Sequence, residues 1–439
     1  MKSKKVISFM LASVMTAGLL AGCGSNGGDS TEDKSSSGKQ KNEKTTTIRF
    51  GWWGGQERAD LTNEAVKLFM EKNPDIKVET SFYPWDSYFE NLSVSATSNN
   101  VPDVYQGYIG SGDFQQFMDG GIVEPLDSYA DKGLIDLSSI SENLIKEGQV
   151  DGKLYGLPFG INTRAMLVAP DMYEKAGIKI PENGYDSWED VETDLKKLKE
   201  ATGKYGAADF LKNEGDVFKY WCRQKGETVF ASEGDSLIGF SKETYVDFYN
   251  MKLRWADEGL IPPYDVSEGE NGPEDSSIVK GDSAVNIIPA SQYGNFADAA
   301  KKNLEMILLP GAAEGTATMV PASLHLCMSS KSDHKEAAAK LIDFLINDEE
   351  ANKLMKAERG MPASDKVRES MESTFTDDQK KVAAITDKAV DYSSANDLPA
   401  MEGTNDIQKM LEEYEERMMY KDVTPEEAYD AISAAAKIG

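Results

Sequence analysis

Over residues 48–106 the apolar pattern alternates between a two-residue and a 3.6-residue period, and few folds accommodate that rhythm. Ile48-Arg49-Phe50-Gly51-Trp52 alternates apolar and other residues as a strand does, and Gly54-Gly55 breaks it. Leu61, Ala65, Leu68 and Phe69 then recur at helical spacing up to Asn73-Pro74. Ile76-Lys77-Val78-Glu79 reads as a second strand, residues 83–96 as a helix, and Pro102-Asp103-Val104-Tyr105 as a short third strand. Strand, helix and strand in succession predict a parallel α/β sheet. Ligands of such sheets bind beyond the carboxyl ends of the strands. Trp52, Trp53, Tyr105 and Gln106 fall there.

The same vocabulary continues downstream. Asp186-Ser187 can cap a helix carrying Val191, Leu195 and Leu198. Ala284-Val285-Asn286-Ile287-Ile288 and residues 304–309 read as strands, and Ser332-Asp333 opens a helix with Ala338, Leu341, Ile342 and Leu345 on its apolar face. From Asp377 onward the pattern is helical and highly charged, a solvated face. The foldable part, starting near Ile48, runs for nearly 400 residues, beyond one comfortable core, so two lobes are expected.

What precedes Ile48 is of another kind. Lys2, Lys4 and Lys5 give a basic start, residues 6–20 are mostly apolar, and Leu20-Ala21-Gly22-Cys23 follows. The apolar run is short for a membrane span and suits an export signal. Its end resembles the lipobox of bacterial lipoproteins, which implies acylation of Cys23 and removal of residues 1–23. Residues 24–47 contain no aliphatic or aromatic side chain and are expected to form a flexible tether, with a reach of roughly 25–30 Å.

Formal charge narrows the partners. The whole chain carries −28, and removing residues 1–23 takes away three lysines and no acid, leaving −31. Nucleic-acid binding needs a basic face, so that class is set aside, as is electrostatic docking on anionic lipid. After Cys23 only Cys222 and Cys327 remain, too few for a disulfide scaffold, and their pairing is left open. Two histidines, His325 and His334, with no paired-ligand motif, give no reason to expect a metal site. No cofactor is expected.

An ordered set of motifs spans nearly the whole exported chain. It comprises Trp52-Trp53-Gly54-Gly55, the run from Phe69 through Asn73-Pro74 to Val78, Pro102-Asp103-Val104, Gly152-Lys153-Leu154-Tyr155-Gly156-Leu157-Pro158, Glu174-Lys175-Ala176-Gly177-Ile178 with Trp188-Glu189, Gly281-Asp282-Ser283-Ala284-Val285, Leu309-Pro310-Gly311, and Arg359-Gly360-Met361-Pro362. In this order they resemble the family-1 extracellular solute-binding proteins of bacterial ABC transporters, the maltose-type group. One departure is Met166-Leu167-Val168-Ala169-Pro170-Asp171, where the family usually has Tyr-Asn-Lys.

The resemblance implies a periplasmic-binding-protein-like α/β fold of two lobes, one of residues 48–161 plus 322–359 and one of residues 163–320 plus 362–439. Hinge crossings are expected near Asn162, Val320-Pro321-Ala322 and Gly360-Met361, with the ligand between the lobes. It implies a monomer anchored by Cys23 outside the cell membrane, in a Gram-positive bacterium by the habit of lipid-anchored members. The role implied is capture of a sugar or oligosaccharide for an ABC permease, without catalysis.

A sugar site needs aromatic platforms for C–H faces and side chains that both donate and accept. Trp52, Trp53 and Trp85 are the candidate platforms of the first lobe and Trp221 of the second, each with a place in the core as the plainer alternative. Trp52 and Trp53 reach one ligand together only if the strand has already ended, because strand neighbours face opposite ways. Glu57, Tyr105, Gln106, Asn162, Ser291, Gln292 and Arg359 are the candidate polar or edge contacts. Asp103 reads as a turn residue and His325 as core. A uronate ligand would call on Arg359 or Arg58. Two other readings stay open: a binding protein for a peptide or polyamine, and a surface-anchored glycoside hydrolase, which would need two carboxylates about 5–10 Å apart.

Overall fold

A computed structural model describes residues 45–438, apart from 110, 111, 212–215, 271, 396, 398 and 399. The Cys23 lipobox and most of the expected tether lie outside the described residues. The tether's last two positions belong to the fold, because the first strand begins at Thr46.

Eleven strands are described. The first sheet contains β1 (Thr46–Trp53), β2 (Ile76–Tyr83) and β3 (Val104–Gly107). β4 (Gln149–Val150) and β5 (Lys153–Leu154) form a small hairpin. β6 (Gly156–Ile161) returns to the first sheet. The second sheet holds β7 (Arg164–Val168), β8 (Tyr205–Ala207), β9 (Ser283–Pro289) and β10 (Glu305–Ile307). Finally β11 (Ala322–Met328) goes back to the first. The orders are β2-β1-β3-β11-β6 and β10-β7-β9-β8.

β1 pairs in parallel with β2 and β3, as the strand–helix rhythm predicts. Beyond that point the pairing is mixed, with β8 still parallel to β9. β11 runs antiparallel to β3 and β6, and β7 runs antiparallel to β9 and β10. The physical reason is that β6, β7 and β11 flank the passages between sheets, so they are joined across the molecule rather than through a crossover helix on one sheet face.

Three passages lie side by side. Asn162 donates its N–H to the Pro321 carbonyl at 3.1 Å, and Ile161 exchanges both backbone hydrogen bonds with Met361. Glycine is required here by proximity. A Cβ on Gly160 would stand 2.1 Å from the Arg359 carbonyl oxygen, and Gly360 has φ +106° with the Ile161 carbonyl 2.7 Å from any added Cβ.

Helices cover both faces of the first sheet. Gln56–Lys72 packs with Glu349–Met355 and places Phe69 against Phe344, ring centroids 5.2 Å apart. Trp85–Thr97 lies on the other face, where Tyr88 donates its hydroxyl to the Gln106 carbonyl. In the second lobe Trp188–Thr202 buries Val191, Leu195 and Leu198 and is capped by the Ser187 hydroxyl, which accepts from the Asp190 N–H. Cys222 and Cys327 are both buried free thiols, so they do not pair.

Candidate functional site

The carboxyl end of β1 carries the first cluster. The strand continues through Trp53, so Trp52 and Trp53 face apart. Trp52 is fully buried against Phe50 and Phe82 and belongs to the core, not to a ligand surface. Trp53 is 8% exposed and meets Trp85, Tyr88 and Phe89 at centroid distances of 5.1, 5.2 and 5.8 Å. Trp85, at the start of its helix, is 48% exposed, and Phe82 and Tyr83 beside it are also open. One predicted platform is therefore core, one is a nearly buried support, and one presents a ring to solvent.

A hydrogen-bond network lies beneath Trp53. Its carbonyl accepts from Arg58 Nη1 at 3.0 Å and from Gln106 Nε2 at 3.4 Å. Gln106 Oε1 accepts from Arg359 Nε, and Arg359 Nη2 donates to Thr62 Oγ1. Gln106, Arg359 and Tyr105 are all buried. Burial pulls the Arg359 guanidinium down to about 9, with the Arg58 charge acting the same way. Arg58 itself is bound by both oxygens of Glu358. These two arginines therefore hold the platform from below. The cation that faces open space is a different one.

That cation is Arg164, in a pocket beside the passages. The pocket encloses about 740 Å³ of space, open solvent included, and is lined by Asn162, Arg164, Asp216, Tyr220, Leu308 and Leu309 among others. Asn162 brings Ser291 to it, donating Nδ2–H to Ser291 Oγ at 2.9 Å and accepting the Ser291 N–H on Oδ1. Gln292 follows, exposed, on the same turn. Tyr108, 38% exposed, has a hydroxyl raised by burial first and then by the charges of Asp216 and Glu147. Glu57 is exposed in the first turn of its helix, where an acid suits the dipole. Trp221 lies in the second-lobe core, donating its indole N–H to the Thr244 carbonyl and packing on Trp188 and Phe248. His325 is buried in β11, as expected.

The model of the family described as "Bacterial extracellular solute-binding protein" matches residues 54–352. The chain belongs to this family. A putative binding protein of Brucella abortus is 26% identical over 349 residues, 78% of this chain and 82% of the relative. An arabinooligosaccharide-binding protein of Bacillus subtilis is 26% identical over 367 residues, 80% of this chain and 78% of the relative. Among solved structures, a family-1 extracellular solute-binding protein of Alicyclobacillus acidocaldarius superposes with a TM-score of 0.80 at 25% identity, covering 89% of this chain and 98% of that one. A periplasmic oligogalacturonide-binding protein of Yersinia enterocolitica does so with 0.74 at 20% identity, over 89% and 98%. The two-lobed α/β fold is thus that of the family-1 solute-binding proteins.

In this solute-binding protein, sequence reasoning missed Tyr108, Glu147, Arg164, Asp216 and Tyr220. Arg164 follows directly on the Asn162 crossing, and Asp216 follows a Glu-Gly turn signal ahead of a helix. Those two positions were the available clues.

Glu147 sits where the first sheet meets the passages, its Oε2 accepting the Ala322 N–H at 3.3 Å. Burial pushes its carboxyl up to about 7, against the pull of that N–H and of Lys219 and Arg223. An acid raised in the fold keeps its proton after the unfolded chain has lost its own. Stability therefore falls as pH rises from about 4.5 to about 7. Glu147→Gln is expected to remove that fall and to exceed the parent by about 1–3 kcal/mol at pH 8. Urea midpoints at pH 5 and pH 8 check it; parallel pH profiles for the two proteins would refute the assignment.

Proposed function

We propose that this solute-binding protein captures a sugar or oligosaccharide between its lobes and releases it to the permease of an ABC importer, held as a monomer at the outer face of the cell membrane by acylated Cys23. The lobes are assigned as residues 48–161 with 322–359 and residues 163–320 with 362–439. Two observations carry this reading: an exposed Trp85 backed by Trp53, and a pocket at the passages whose mainly apolar wall bears the polar side chains of Asn162, Arg164, Asp216 and Tyr220. Aromatic faces and two-way hydrogen-bonding groups are what a polyhydroxylated ring requires. The named ligand of the Bacillus subtilis relative, an arabinooligosaccharide, supports the same class. Capture asks for no covalent step. Micromolar affinity corresponds to about −8 kcal/mol, within reach of such a site.

Thermal unfolding of residues 24–439 against mono- and oligosaccharides tests this. A ligand at 100 times its Kd adds about 2.7 kcal/mol of stability, a clear upward shift in midpoint. The expected result is a shift from one sugar class, with the sugar recovered unchanged. Shifts from peptides or polyamines alone would overturn the carbohydrate reading, and cleaved sugar would favour a hydrolase.

A further inference from the structure

Arg164 opens β7, and its side chain reaches Asp216, the residue ahead of the helix Val217–Gln224. Nε and Nη2 both donate to a single oxygen, Oδ2, at 3.0 and 2.8 Å. Among the described residues no partner is present for Asp216 Oδ1 or Arg164 Nη1. The pair thus leaves one acceptor and one donor group side by side at the pocket wall. Both side chains are partly open, 32% and 48% exposed. An ion pair so exposed contributes little to stability.

Asp216 is also held in an unusual way. It occupies the N-cap position of its helix, where an aspartate ordinarily accepts a backbone N–H, yet it makes no such bond. Its φ is +59°, a left-handed conformation that few side-chain-bearing residues other than aspartate and asparagine adopt. The carboxylate has exchanged capping for a place opposite Arg164.

From these observations we infer that the Arg164–Asp216 pair is the specificity determinant of the pocket, selecting neutral sugars with adjacent hydroxyls over uronates; this rests on the carbohydrate reading above. A hydroxyl both donates and accepts. One hydroxyl donates to Asp216 Oδ1 while its neighbour accepts from Arg164 Nη1. The carbon face lies against Val217, Leu308 and Leu309, which also line the pocket. A uronate carboxylate only accepts. It meets Arg164 already neutralised and faces the negative charge of Asp216. The next cation along the helix, Lys219, is itself held near Asp397 at 3.5 Å.

Calorimetric titration of residues 24–439 tests this with matched probes: xylo-, galacto- and arabino-oligosaccharides against galacturono- and glucurono-oligosaccharides. The parent protein is expected to bind its best neutral probe about 100-fold more tightly than any uronate, the scale of one uncompensated like-charge contact in a partly open site. Asp216→Asn is expected to weaken the neutral probe and to bring uronate affinity within about tenfold of it. Asparagine tolerates the left-handed backbone, so the thermal midpoint should hold. Arg164→Gln should weaken the neutral probe without admitting uronates. A parent that binds uronates as tightly as neutral sugars overturns the inference, as does a selectivity ratio unmoved by Asp216→Asn. Absence of binding to every carbohydrate instead overturns the carbohydrate reading itself.

Discussion

Lys252→Met is expected to lower unfolding stability by about 3–5 kcal/mol at neutral pH. Lys252 is fully buried in the helix Lys242–Asp257. Its Nζ donates to Glu415 Oε1 at 2.6 Å and to the Leu211 carbonyl at 2.9 Å, and lies 3.3 Å from Asp209 Oδ2. Burial works against the ammonium charge, but the carboxylates of Asp209 and Glu415 outweigh it and hold the group above its ordinary value. Methionine fills the same volume and removes the charge, which deprives the buried carboxylates of Asp209 and Glu415 of the Lys252 ammonium. Urea unfolding of both proteins at pH 5 and pH 7.5 measures this. A deficit below about 1 kcal/mol at pH 7.5 would show that the triad is not a structural clamp on the helix Thr404–Met419.

The second large effect concerns the two tryptophans at the mouth of the first lobe, which should separate stability from binding. Trp53→Ala empties a nearly buried site ringed by three aromatic side chains and is expected to cost about 3–5 kcal/mol. Trp85→Ala removes a half-open ring and should shift stability by less than about 1 kcal/mol. It should weaken the bound sugar about tenfold, the scale of one lost aromatic contact. Equal affinity of Trp85→Ala and the parent for the sugar found by thermal screening would remove Trp85 from the site.

The order of elements in the first lobe could be read directly, because strand and helix periods alternate cleanly from β1 to β3 and glycine or proline marks each change. Strand direction beyond β3 could not. A strand arriving from the other lobe has the same two-residue period as one arriving through a helix. The Trp52–Trp53 ambiguity was legible as a condition, and β1 resolves it by extending through Trp53. Gln106 and Arg359 were chosen for their chemistry, but their mutual bond spans 253 residues and turns them into supports beneath the surface. Arg164 and Asp216 pair only because a helix of the second lobe begins beside the first passage, a juxtaposition that no local pattern encodes.

The two free thiols have a practical consequence. Cys327 lies within β11 of the first sheet and Cys222 within a helix of the second lobe, each fully buried. Burial raises both thiols far above their ordinary value, so neither reacts while its lobe is closed over it. After Cys23 the chain therefore carries one silent reporter per lobe. The rate at which a thiol dye labels each position is the rate at which that half of the molecule opens. A solute that ties the halves together will slow the two clocks in step.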